Sequence, residues 1–183
     1  MWTFAHAKEL NIDVDKVAIG GVSAGGCLAA GVTQLLRDRR GPPLCFQLLV
    51  YPTVDTELSP SVRQFHDSLV INADFVKRMW KHYLGENNVA RPPKHAAPLK
   101  TDDLSRLPPA YIEVCELDPL RDEGIAYAQQ LLRVNVSTEL ILRRGCPHGF
   151  ELFGSKSLNE QAFAERSRAL QQAFSDPPFL SRL

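Results

Sequence analysis

The chain has 183 residues, of which 44% are hydrophobic and 23% are charged, a composition typical of one globular domain. Its 21 basic residues balance its 21 acidic residues, which argues against nucleic acid or an acidic membrane surface as a partner. No apolar run reaches the roughly 18 residues that a transmembrane helix requires, and the first residues do not resemble a signal peptide. We therefore expect a cytoplasmic protein.

Segments typical of strands and of helices alternate along the chain, which predicts an α/β fold with a mostly parallel sheet flanked by helices. The short apolar runs that we expect to form strands are residues 17–20, 45–51, 110–115 and 138–142. The segments with helical periodicity are residues 2–10, 25–39, 121–133 and 158–174.

Residues 53–108 interrupt this alternation between the second and third predicted strands. Asn72 can cap a helix that Gly85 ends. The apolar face of that helix consists of Val76, Met79, Trp80, Tyr83 and Leu84. We expect a helical, cap-like insertion at 53–108 within a single domain that spans residues 1–183.

Residues 21–25 read Gly-Val-Ser-Ala-Gly, a GxSxG motif that lies directly between a predicted strand and a predicted helix. This context is typical of a nucleophile elbow, in which a strained Ser23 would present its hydroxyl. The Ala24 N–H, at the positive end of the helix, can bind a developing oxyanion. The glycines that we expect to shape the elbow are Gly21, Gly25 and Gly26. A phosphate-binding turn or a plain tight turn is the alternative interpretation.

A serine nucleophile needs a base and an orienting carboxylate, which in this architecture follow in the order serine, acid, histidine. His148 lies just past the last predicted strand, at the carboxyl edge where parallel sheets bind ligands. Asp118 precedes Pro119 and so stays outside the next helix, which favours it as the acid. Glu116 is the alternative acid. Two further carboxylates, Asp122 and Glu123, lie in the first turn of the next predicted helix. There they interact favourably with the helix dipole, so we expect neither of them to be the acid.

The four cysteines are widely spaced and form neither a CxxC pair nor a zinc-finger pattern with histidine. We expect free thiols in a reducing compartment, with a redox pair between Cys115 and Cys146 as the alternative. We expect neither a metal nor a cofactor.

Three motifs resemble the α/β-hydrolase fold family, in its hormone-sensitive-lipase-like (α/β hydrolase fold-3) esterase branch. They are Gly-Gly-Val-Ser-Ala-Gly-Gly at 20–26, Asp-Pro-Leu-Arg-Asp-Glu-Gly at 118–124 and His-Gly-Phe at 148–150. The segments 49–52 and 103–109 are similar to the framework of the same branch. The resemblance implies a carboxylic ester hydrolase that acts on small-molecule esters of short or medium chain length through an acyl-enzyme. The implied triad is Ser23, Asp118 and His148.

That family also carries a His-Gly-Gly-Gly block upstream of the nucleophile, whose amides complete the oxyanion hole, and the block does not occur in these 183 residues. We therefore expect a partial α/β-hydrolase fold without the amino-terminal strands. The nucleophile strand would then form an exposed sheet edge, through which the chain could self-associate. Four aromatic residues of the insertion either line an acyl pocket or only pack between helices. They are Phe65, Phe75, Trp80 and Tyr83.

The same residues leave other functions open. A truncated hydrolase remnant would keep the three side chains, yet be weak or inactive as a catalyst and act as a binding module. An amidase, a formamidase or an acyltransferase would use the same triad on a different substrate or acceptor.

Overall fold

A computed structural model describes residues 1–68 and 70–175. These residues form a four-stranded sheet in which all neighbouring strands are parallel. In their spatial order, which is also their chain order, the strands are β1 (Ala18–Val22), β2 (Phe46–Val50), β3 (Ala110–Leu117) and β4 (Thr138–Pro147). The predicted fold class, a mostly parallel sheet of about four strands flanked by helices, is confirmed.

Six α-helices accompany the strands within the described residues. They are α1 (Trp2–Ala5), α2 (Ala24–Asp38), α3 (Pro60–Gln64), α4 (Ala73–Leu84), α5 (Arg121–Arg133) and α6 (Lys156–Ser175). Helices α2 and α5 pack on one face of the sheet, where they share an apolar core with β2 and β3. Helix α6 covers the other face, where Ala169 packs against Phe46 and Tyr111. The sheet is thus the middle layer of three.

Strand β3 lies in the interior of this arrangement. All its residues from Ala110 to Cys115 are buried, which explains why they read as a nearly continuous apolar run. Its one charged buried residue, Glu113, bonds to Arg143 of β4 at 2.9 Å and to Arg166 of α6. Burial alone would raise the pKa of Glu113, but the hydrogen bonds from these two arginines hold it below its usual value. The buried charge is therefore paired, as a low-dielectric interior requires.

Helices α3 and α4 lie in the insertion between β2 and β3. The Asn72 side chain caps α4 by accepting a hydrogen bond from the Phe75 N–H at 2.9 Å. Gly85 ends the helix with a φ of 76°. The buried face of α4 packs against Cys27 of α2 and Leu120, so the insertion joins the main body through an apolar cluster. Among the described residues, no helix combines the length and apolar character that crossing a membrane would need.

Candidate active site

Ser23 occupies the turn that joins β1 to α2. Its backbone has φ 56° and ψ −119°, outside the regions that residues with a side chain normally adopt. Its N–H donates to the Val50 carbonyl at 2.9 Å, and its own carbonyl accepts from the Thr53 N–H at 3.3 Å. The strained turn is therefore fixed by the end of β2 and the segment that follows it, and the half-buried serine side chain lies at the carboxyl edge of the sheet.

The three glycines of the elbow differ in whether a close neighbour leaves no room for a side chain. A Cβ added to Gly21 would lie 2.0 Å from the Gly25 carbonyl oxygen, and a Cβ added to Gly26 would lie 2.7 Å from the Pro52 Cβ. A Cβ added to Gly25 would meet no heavy atom of the described residues within 4 Å. A close backbone approach therefore requires glycine at position 21, whereas no described neighbour requires it at position 25.

His148 lies in the turn after β4, where Gly149 reverses the chain in a left-handed conformation. The imidazole Nδ1 is 2.8 Å from Oδ2 of Asp118, and the imidazole Nε2 is 2.9 Å from the Ser23 Oγ. Asp118 is fully shielded from solvent, and its Oδ1 accepts from the Leu120 N–H at 2.9 Å. The hydroxyl, the imidazole and the carboxylate therefore form one hydrogen-bonded line, while their catalytic roles stay a prediction.

The other acidic residues near this turn are engaged elsewhere. Glu116, the alternative acid, accepts from the Gly145 N–H at 2.6 Å. Asp122 accepts from the Ser61 N–H at 2.8 Å and so ties α5 to α3. Among these acids, only Asp118 contacts His148 in the described part of the chain.

The Ala24 N–H, proposed from the sequence as an oxyanion donor, begins α2. In the described part of the chain it donates to no backbone carbonyl, as is usual for the first N–H groups of a helix. It adjoins Ser23, so this free donor and the positive end of the helix lie beside the hydroxyl.

An apolar cavity lies next to Ala24, the residue that follows Ser23. It has a volume of about 410 Å³ including the part that opens to solvent, and its lining residues are Ala24, Cys27, Leu28, Thr53, Met79, Trp80 and Tyr83. Two of the aromatic residues predicted for an acyl pocket, Trp80 and Tyr83, thus line this cavity. The other two do not: Phe65 packs under the Arg121 guanidinium at 5.3 Å, and Phe75 is 46% exposed on α4.

Comparisons with known proteins agree with this geometry. The model of the alpha/beta hydrolase fold family matches residues 1–152. The chain belongs to the α/β-hydrolase fold family. The family predicted from the three motifs, including its hormone-sensitive-lipase-like esterase branch, is confirmed.

Individual members of the α/β-hydrolase family show how close the similarity is. Carboxylesterase NlhH of Mycobacterium tuberculosis (strain ATCC 25618 / H37Rv) is 40% identical over 156 residues, which cover 83% of this chain and 49% of NlhH. Esterase LipI of the same strain is 37% identical over 150 residues, 81% of this chain and 47% of LipI. The solved structure of a bacterial heroin esterase has a TM-score of 0.91 at 39% identity, covering 96% of this chain and 57% of that one. The chain spans about half the length of these relatives.

Tyr51 contacts the site although sequence reasoning gave it no role there, and Glu123, which sequence reasoning assigned to the helix dipole, bonds the loop after β2 instead. The Tyr51 ring lies against the His148 imidazole, with centroids 4.6 Å apart. Glu123 is buried and accepts from the Val54 N–H at 2.7 Å. Burial raises the pKa of Glu123 well above its usual range. The position of Tyr51 directly after β2, at the same carboxyl edge as Ser23, was the signal that could have found it.

Proposed function

We propose that the chain is the catalytic part of a carboxylic ester hydrolase that uses Ser23, His148 and Asp118 as its triad. The observation that carries this proposal is the hydrogen-bonded line from the Ser23 Oγ through the imidazole to the buried Asp118 carboxylate. Family membership and the esterase names of the relatives support the reaction class.

In this proposal the reaction passes through an acyl-enzyme. The Ser23 Oγ attacks the acyl carbon while its proton moves to Nε2 of His148, and Asp118 holds the Nδ1–H and stabilises the imidazolium. The Ala24 N–H donates to the oxyanion of the tetrahedral intermediate. His148 then gives its proton to the leaving alkoxide, and water repeats the sequence on the acyl group.

The cavity supports an apolar substrate group of modest size. Its lining, as far as residues 1–68 and 70–175 form it, contains no charged side chain and lies beside the Ala24 end of the elbow. We propose that it holds the acyl chain of short or medium esters and that the insertion at 53–108 acts as a cap, because Trp80 and Tyr83 of α4 form one wall. The cytoplasmic location and self-association through the edge at β1 stay predictions.

The test is turnover of p-nitrophenyl acetate and butyrate, together with labelling by a fluorophosphonate probe. The parent chain should hydrolyse both esters and should be labelled, and Ser23→Ala should lose both properties. Ser157→Ala, a change at an exposed serine of α6, is the matched control and should behave like the parent.

The outcome also separates the alternatives. Folded chain that neither turns over ester nor accepts the label would refute the proposal and favour an inactive remnant that acts as a binding module. Faster turnover of an amide or formamide than of the matched ester would identify an amidase, and transfer to an added alcohol or amine would identify an acyltransferase.

A further inference from the structure

One short segment contacts both the backbone of Ser23 and the imidazole of His148. The segment runs from Val50 to Thr53, and its backbone bonds to both the N–H and the carbonyl of Ser23. The side chain of Tyr51, within the same segment, packs against His148 with ring centroids 4.6 Å apart and ring planes inclined by 60°. The segment thus relates the position of the base to that of the nucleophile.

The backbone at Tyr51 is held in a conformation that its sequence disfavours. Its φ is 34°, in the left-handed region, and the following Pro52 disfavours helical conformations at the preceding residue. The Tyr51 N–H donates to the Glu113 carbonyl at 2.6 Å, which holds the chain in this turn. As a result, Tyr51 and its strand neighbour Val50 pack in the same apolar cluster, whereas successive strand residues normally point to opposite faces.

The hydroxyl of Tyr51 is fixed at the far end of the ring. It donates to Oε2 of Glu151 at 3.0 Å, and Oε1 of Glu151 accepts from Arg166 at 2.6 Å. Arg166 also bonds to the buried Glu113 of β3. Burial, followed by the adjacent Glu151 carboxylate, raises the pKa of Tyr51, so the phenol stays a neutral donor. The backbone of Tyr51 is therefore bonded to β3, and its hydroxyl is bonded to the ion pairs that Arg166 forms with Glu151 and Glu113.

We propose that Tyr51 is a positioning residue for His148, whose anchored ring keeps the imidazole aligned between Asp118 and Ser23. The Asp118 bond holds one edge of the imidazole but leaves it able to tilt about that bond. In this proposal the Tyr51 ring, whose centroid lies 4.6 Å from that of the imidazole, limits this tilt and attracts the imidazolium that proton transfer creates. This role rests on the proposed function, because it matters only if His148 carries a proton.

The test compares three variants by two independent measurements. Tyr51→Leu removes the ring, Tyr51→Phe removes only its hydroxyl, and Glu151→Ala removes the partner of that hydroxyl. The first measurement is kcat and KM for p-nitrophenyl butyrate. The second is the proton NMR resonance of the His148 Nδ1–H, assigned with His148→Gln, which persists only while the hydrogen bond to Asp118 protects this proton from exchange.

The expected results form a graded series. Tyr51→Leu should lower kcat about tenfold or more with little change in KM, since a small misplacement of a catalytic group is enough for such a loss, and it should lose the Nδ1–H resonance. Tyr51→Phe and Glu151→Ala should each lower kcat about threefold and broaden the resonance. Tyr127→Leu is the matched control: Tyr127 is also buried and hydrogen-bonded, to Gln34, but lies in the core formed with α2. It should destabilise the fold and leave the resonance sharp.

Retention of both the resonance and the parental kcat in Tyr51→Leu would overturn the proposal. If Tyr51→Leu does not fold, the same two measurements on Tyr51→Phe and Glu151→Ala decide, and parental values in both would overturn it. If the parent chain hydrolyses no ester, the proposed function fails by itself, and the resonance still reports whether Tyr51 positions His148.

Discussion

Gly21 lies so close to Gly25 that a Cβ added to Gly21 would be 2.0 Å from the Gly25 carbonyl oxygen. No side-chain adjustment can relieve this overlap, because the opposing atom belongs to the backbone. The approach brings the end of β1 against the start of α2 and so sets the sharpness of the turn at Ser23.

This contact predicts that alanine is destabilising at position 21 and nearly neutral at position 25. Gly21→Ala should destabilise the fold by at least about 1–3 kcal/mol, the usual cost of overpacking. Gly25→Ala should unfold at nearly the parental midpoint, since its Cβ would meet no heavy atom of the described residues within 4 Å. Urea unfolding followed by circular dichroism checks both, and equal midpoints for the two variants would contradict the assignment.

The buried carboxylate of Asp118 predicts a large and specific effect on turnover. Asp118→Asn keeps the side-chain shape but favours the wrong imidazole tautomer, so kcat should fall by about 10⁴-fold. Asp122→Asn is the control, because that carboxylate accepts from the Ser61 N–H and does not contact His148. Esterase assays of the two purified variants make the comparison, and a similar loss in both would argue against a specific role for Asp118.

The position of the cavity predicts that a substitution in α2 can change the preferred length of the acyl chain of the substrate. Leu28 lines the cavity and is 52% exposed, so Leu28→Trp should narrow it without disturbing the core. The ratio of kcat/KM for hexanoate to that for acetate should fall about tenfold, in the range that one misfitted methylene produces. Val32→Trp lies one helical turn away at 38% exposure and outside the cavity lining, and it should leave the ratio unchanged.

The buried Glu123 predicts a pH-dependent stability difference. Its folded-state pKa is raised by burial, so its favourable contribution is complete below about pH 4.5 and is lost as the pH rises through the folded pKa. Glu123→Gln cannot ionise and can still accept from the Val54 N–H. The variant should therefore gain stability relative to the parent as the pH rises, with no such gain near pH 4.5.

The measurement is urea unfolding of the parent and of Glu123→Gln across this range. Subtracting the two free energies of unfolding removes the contribution of every other titrating group that the change does not touch. A difference that stays constant with pH would show that Glu123 ionises normally in the folded chain.

Local sequence signals were sufficient for most element boundaries. The predicted helix at 121–133 coincides with α5, and Asn72 and Gly85 bound α4 as their capping chemistry predicts. Strand β4 instead continues to Pro147, beyond the predicted end at residue 142. In this extension the charged Arg143 bonds to the buried Glu113, and such a partner can only come from the tertiary fold.

The contact between Ser23, Asp118 and His148 was also within reach of sequence reasoning, because each residue follows a different strand of a parallel sheet. The residues that line the cavity could not be predicted in this way. Phe75 neighbours Val76 in sequence, yet only Val76 lies on the buried face of α4. Glu123 was assigned to the helix dipole, whereas it is turned inward to bond the loop after β2. Both outcomes depend on how elements pack, which local periodicity does not specify.

The backbone at Ser23 has a thermodynamic consequence. Its positive φ suits glycine far better than serine, and such conformations cost about 1–3 kcal/mol in a residue with a side chain. A chain with no use for the hydroxyl would gain stability from glycine at this position. Under the proposed function the serine therefore trades stability for a reactive hydroxyl, and the gain in unfolding free energy of a Ser23→Gly variant would measure how much stability is given up for it.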